Sequence, residues 1–307
     1  MSLSPWARVC LPVAEQALRE CVNDSTVNLG DEGVAASQRK LAQASLAAAA
    51  RRISEVASAD SKASAALRSS GGPGAGLWSN APVLPNQQLS DAQFSIAMRH
   101  RLHLALPLGN GQCQHRKRNG LTCSAPLDEN GFHARCCPAG GWLVRRHDAA
   151  CAVLGQWCED VGCTLMGGQK PWGEVMLPWA APRRLGARMD LVVMAPGAAT
   201  PFYVDLTVAS ALSVEALAEG SGERDGAAAI NAAARKVSDY PNCPVTPFVI
   251  EDHGRLGDEA LAFIRTLAPI DPAERSLAIR RLHQSLGATL QRCAADAVIS
   301  ATTIRQF

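Results

Sequence analysis

This sequence has few aromatic residues, no long apolar run and almost no net charge, and each shortage sets a limit. Aromatic residues make up 5% of 307 positions while alanine is abundant. Neither carries a functional reading. No apolar run reaches the roughly 20 residues that a membrane-spanning helix needs. The start shows no basic n-region followed by an apolar h-region, so no signal peptide is expected and the chain reads as intracellular. The formal net charge is +2, which argues neither for nor against nucleic acid, so any DNA-binding case rests on local charge. What is present is enough to fold: 47% hydrophobic and 19% charged residues suffice for one large or two small domains. The 11 cysteines are then expected as free thiols or metal ligands rather than disulfides.

Along the chain, Ala35 to Arg68 is rich in helix formers, with Leu41, Leu46, Ile53 and Val56 at roughly helical spacing, and predicts one or two helices. Ser69 to Gly76 (SSGGPGAG) breaks them and reads as a linker. Ser90-Asp91 caps a short helix through Phe94, Ile96 and Met98 to Leu104, which Pro107 to Gly111 ends. Asp148 to Val161 predicts a helix with Val153, Leu154, Trp157 and Val161 on one face. Ser213 to Asp239 reads as helix broken at Gly220-Ser221-Gly222, and Val245 to Ile250 as a short strand. Gly257 to Leu267 and Pro272 to Val298 read as amphipathic helices. Helices alternating with strands in this order predict an α/β layer, with helices packed on a sheet.

The stretch Arg188 to Val208 (RMDLVVMAPGAATPFYVDLTV) organises the rest. Two apolar runs, Leu191–Met194 and Phe202–Val204, flank a turn and predict a hairpin of buried strands. Asp190 opens the first run and Asp205 sits late in the second. A buried, unpaired carboxylate is costly, and two that converge suit Mg²⁺. The plainer alternative is a pair of surface aspartates at strand ends.

Residues 113–147 are poor in large apolar side chains but hold Cys113, Cys123, His133, Cys136 and Cys137. Thiolates plus one imidazole suit tetrahedral Zn²⁺, which would replace the missing core. Cys136 and Cys137 compete for the fourth place, and the plainer alternative is ordinary buried thiols. Arg116, Lys117 and Arg118 form a basic run that suits phosphates or simply a solvated face. His147, after Arg145-Arg146, suits orienting a phosphate, capping the next helix or backing the zinc site.

Taken in order, these motifs resemble a known arrangement. It runs Cys113, Cys123, Gly131-Phe-His133 and Cys137-Pro-Ala-Gly-Gly141, then Arg146-His147-Asp148. Next come Arg188-Met-Asp190, Val204-Asp205-Leu-Thr-Val208 and Lys236-Val-Ser-Asp-Tyr240. The set resembles the C-terminal region of site-specific non-LTR retrotransposon proteins, where a Cys-Cys-His-Cys zinc motif precedes a PD-(D/E)XK, restriction-like endonuclease. Trp78, Phe94 and Arg99-His-Arg101-Leu102 are similar to the linker after the polymerase in such elements. The resemblance covers about residues 75–270.

The resemblance implies a mixed sheet flanked by helices, after a small zinc-stabilised segment and a helical N-terminal region. The expected division is a partly low-complexity helical region over 1–75, a linker and short helix over 76–110 and a zinc segment over 111–145. A nuclease domain over 146–270 and a C-terminal helix over 271–307 follow. It favours Cys113, Cys123, His133 and Cys137 as structural Zn²⁺ ligands. Asp190 and Asp205 match the two acidic residues that hold Mg²⁺, Lys236 and Tyr240 a displaced lysine and its tyrosine, and Arg188 the basic residue before the first acid. Thr207 stands where a lysine often follows the second acid. Gln169-Lys170-Pro171 stands where a glutamate is common, leaving Glu174 or Glu159 as the nearest carboxylates. Arg116, Lys117, Arg118, Arg146 and His147 are expected on nucleic acid, which is DNA or the RNA of the parent element, and the location in the nucleus. No Tyr-x-Asp-Asp stretch occurs, so polymerase activity is not expected. The implied function is Mg²⁺-dependent DNA cleavage, and the alternative is a degenerate nucleic-acid-binding module of the same origin.

Overall fold

Strand alternation sets the architecture. The computed structural model describes residues 57–82, 84–106, 108, 111–167, 174–181 and 187–302, together with 51, 53 and 55. The first helices are α1 (Ser61–Ser70), α2 (Asp91–Arg101), α3 (Phe132–Cys136) and α4 (Trp142–Asp160). Strands β1 (Thr164–Leu165), β2 (Val175–Met176), β3 (Arg188–Met189), β4 (Leu191–Met194) and β5 (Phe202–Ala209) follow. Next are α5 (Val214–Ala218), α6 (Ala227–Asp239), β6 (Val245–Glu251), α7 (Asp258–Leu267) and α8 (Pro272–Ala301). The chain divides into two compact units, 1–64 and 65–307. The helical expectation over residues 35–50 lies outside the described residues.

The main sheet has the order β1-β4-β5-β6, with β2 and β3 forming a separate pair. The expected hairpin is present: β4 and β5 are antiparallel, with Val192 opposite Tyr203. β6 lies parallel to β5, which requires a long crossover, and α5 and α6 lie within it. The sheet is therefore mixed. Pro247, paired in register with Asp205, lacks an N–H but sits on an edge strand, where proline is tolerated.

Leu191, Val193, Val204, Leu206, Phe248 and Ile250 form one buried cluster with Leu154 and Trp157 of α4, Phe263 and Ile264 of α7, and Leu282 and Leu286 of α8. Burying each such side chain contributes about 1.5–3 kcal/mol. The alternate positions face the other way. Val249 meets Ala229, Ala232 and Ala233 of α6, whose small side chains let that helix lie close to the sheet. Period-two alternation puts Asp205, between Val204 and Leu206, on this second face beside α6.

Two expectations need correction. The Gly-rich stretch before Trp78 is packed rather than a linker: Ala75 and Trp78 are buried. Gly74 has φ +78° and a Cβ there would lie 1.8 Å from His283 Nδ1, so glycine alone fits. Helix α4 begins at Trp142, not Asp148. Nothing between Gly141 and Asp148 breaks a helix, and Arg145 stacks on Trp142 one turn back, 4.7 Å from its ring centroid. Arg146 and His147 thereby lie inside the helix. The cap at Ser90 is as expected: its hydroxyl accepts from Gln93 N–H while Gln93 returns a bond to Ser90 N–H.

Candidate functional site

Cys113 and Cys123 lie on a looped segment held by the bridges Gln112–Pro126 and Arg116–Thr122. His133 lies on α3, and Cys137 caps that helix. Asp128 accepts from Phe132 N–H (2.8 Å) and His133 N–H (2.7 Å), fixing the start of α3. The four ligand atoms lie within 4.8 Å of one another. Cys113 and Cys137 sulfurs are 3.8 Å apart, and Cys123 sulfur is 3.5 Å from His133 Nε2. A tetrahedral zinc with ordinary bond lengths has edges of about 3.8 Å between sulfurs and about 3.6 Å from sulfur to nitrogen. The cluster is geometrically compatible with zinc. Burial first, and then the neighbouring thiols, push Cys137 up to about 12, a penalty on the thiolate that a bound cation removes. Cys136 points elsewhere, toward Asp252, Arg135 and Ser210, so it is outside the set.

The segment docks on the end of α8, where Val298 and Ala301 join Cys113, Leu127 and Ala134 in one cluster. His115 is buried and its Nε2 meets the Ala297 carbonyl at 2.9 Å. Arg116, Lys117 and Arg118 remain exposed.

A cleft of about 530 Å³ lies where α4, β3, β5 and α6 meet. It gathers most of the expected site residues: Asp190, Asp205, Lys236, Tyr240, Arg188, Arg146, His147 and Glu174. Glu159 is not among them, since it sits exposed near the far end of α4. Gln169-Lys170-Pro171 lies outside the described residues.

Asp190 occupies the bend between β3 and β4, and its Oδ2 accepts from the Leu206 N–H (2.6 Å). The same oxygen is 3.2 Å from His147 Nε2. This bond first, and then the Cys151 sulfur, push His147 up to about 11, so without a bound cation the imidazole is charged at neutral pH. Asp205 is 4% exposed. Burial pushes its carboxyl up, while Lys236 Nζ, 2.7 Å away, opposes that. Tyr240 is buried; its hydroxyl lies beside Asp205 and donates to the Arg188 carbonyl (2.8 Å). Arg188 pairs with Glu174 across the mouth of the cleft. Arg146 is buried, and its Nε has no partner among the described residues.

The group with the spacing of a metal site here is His147, Cys151 and Asp190; Asp205, paired with Lys236, is not part of it. Two carboxylates reach one cleft and feel each other's charge, and an imidazole joins them. Sequence reasoning missed the Leu206 N–H that orients Asp190, and also Cys151, which stands four residues after His147 on the same helix face.

A second cluster, His100, Asp252 and His253, also has the spacing of a metal group. Here the cation is already supplied. The Arg135 guanidinium lies against His100 Nε2 and 3.8 Å from Asp252. Burial opposes the Asp252 charge, but His253 and then Arg135 outweigh it and hold the carboxyl well below the usual range. This is a buried ion-pair network that ties α2 and α3 to the end of β6.

No known protein family, curated protein or solved structure matches the chain. Among the described residues, no helix is long and apolar enough to cross a membrane.

Proposed function

We propose that the chain is a divalent-metal-dependent DNA endonuclease with a restriction-like, PD-(D/E)XK type core, derived from a non-LTR retrotransposon protein. One observation carries this reading: Asp190, Asp205 and Lys236, distant in sequence, line one cleft together with Arg146, His147 and Arg188. The order of motifs in the sequence supports the same class.

Phosphodiester hydrolysis needs an attacking water, relief of charge on the phosphoryl oxygens and help for the leaving oxygen. Asp190 and Asp205 would hold the cation, Mg²⁺ by the family pattern, which would supply a nucleophile at neutral pH and offset negative charge. The Leu206 N–H fixes the Asp190 carboxylate, so that group needs little reorganisation. Lys236, 2.7 Å from Asp205, is placed to stabilise the developing negative charge. Tyr240 acts as a positioning residue, pinning Arg188. Arg146 and Arg188 meet the phosphates, while Arg116, Lys117 and Arg118 on the zinc segment add affinity for the duplex backbone.

Plasmid nicking by the full chain with Mg²⁺ and with EDTA tests this. Nicking is expected with the metal and is expected to fall by at least about 100-fold in Asp190→Ala and in Asp205→Ala. DNA binding without nicking would favour the degenerate binding module, the reading that Thr207 at the usual lysine position supports. Nicking that survives both substitutions would overturn the assignment.

A further inference from the structure

The cleft holds one donor that the acidic pair does not account for. His147 Nε2 faces Asp190 at 3.2 Å. Its Nδ1 is 3.2 Å from Asp148 Oδ1, so each ring nitrogen has a carboxylate. Metal-bound imidazoles characteristically donate their other N–H to a carboxylate, which fixes the ring and strengthens the donor. Cys151 completes the spatial group but is poorly aimed. Its sulfur lies 3.9 Å from Nδ1 and 3.8 Å from Nε2, so it sits by the ring rather than along a lone pair.

We propose that His147 is a direct ligand of the divalent ion held by Asp190, so that the site prefers a first-row ion such as Mn²⁺ over Mg²⁺. The chemistry follows from the donor set. Mg²⁺ takes oxygen ligands and dehydrates reluctantly, whereas imidazole nitrogen suits first-row transition ions. An imidazole nitrogen beside the Asp190 carboxylate makes a mixed set, which Mn²⁺ accepts. The side chain is 30% exposed and Asp190 10% exposed, so an ion arriving through the cleft reaches both. This inference rests on reading the cleft as a metal site, but not on the site being catalytically competent.

The test is pulsed electron paramagnetic resonance of Mn²⁺ added to the zinc-loaded, tag-free full chain, beside calorimetric titration of Mn²⁺ and Mg²⁺. A nitrogen hyperfine coupling from bound imidazole is expected, with Mn²⁺ binding about tenfold or more tighter than Mg²⁺. His147→Ala should remove the coupling and weaken Mn²⁺ binding about tenfold or more. His147→Asp, which gives an all-oxygen set, should also remove the coupling while narrowing the gap between the two ions; it stands in if the alanine variant fails to fold. Bound Mn²⁺ without nitrogen coupling, or coupling that persists in both variants, would overturn the proposal. Mg²⁺-dependent nicking would then still leave the nuclease reading in place. Coupling without any nicking would sustain the ligand assignment and remove the nuclease. An absence of Mn²⁺ binding would overturn the proposal outright.

Discussion

Two buried aspartates carry opposite energetic signs. Asp205 sits in a cleft where burial raises its carboxyl. The folded chain therefore retains a proton that the unfolded chain loses just above the ordinary carboxylate value, and stability falls as pH rises through that window. Without divalent ion, Asp205→Asn is expected to raise the melting temperature at neutral pH, while abolishing nicking. Thermal scans of metal-free protein check this. Asp252 is the reverse case. Its partners hold its carboxyl low, so its contribution is present above the ordinary carboxylate value and is lost as pH falls toward the folded one. Asp252→Asn leaves the Arg135 charge buried and uncompensated, and is expected to cost about 3–5 kcal/mol in urea unfolding. A gain in one variant and a loss in the other would separate a functional carboxylate from a structural one.

Elements show how far the sequence could be read. The Ser90 cap was legible because a capping box is a local signal. So was the hairpin, because its apolar runs and turn are contiguous. The start of α4 was not: Asp148 looks like a cap, but the helix passes through it from Gly141, and that shift puts His147 opposite Asp190. Their contact spans 43 positions, and no local spacing encodes it. The residues alone left Cys136 and Cys137 open; the resemblance favoured Cys137, and it is Cys137 that stands with Cys113, Cys123 and His133. One zinc per chain is expected by native mass spectrometry, kept in Cys136→Ser and lost in Cys137→Ser. Loss from the Cys136 variant instead would invert the ligand assignment.

In the unit from Ala65 onward, the segments of the expected division pack against one another. The stretch Gly71 to Gly76 looked like a linker because flexible linkers and tight turns draw on the same residues. Gly74→Ala puts a methyl group into His283 at positive φ and is expected to cost about 1–3 kcal/mol in urea unfolding. A true linker would lose nothing. The C-terminal helix is equally integral. It packs against α4 beside the sheet and also against α2 and α3, so four of the expected segments share one spine.

That spine has a further consequence. Thirty helical residues at 1.5 Å each make a rod about 45 Å long. Its middle is buried among the sheet's apolar side chains, and its last turns seat the cysteine-rich segment with the exposed Arg116–Arg118 turn. Under the nuclease reading, the place where a duplex is gripped and the place where it is cut belong to one packed unit and stand at a set spacing. The protein would then behave as a ruler: its cut would fall at a constant offset from its footprint, whatever bases lie between.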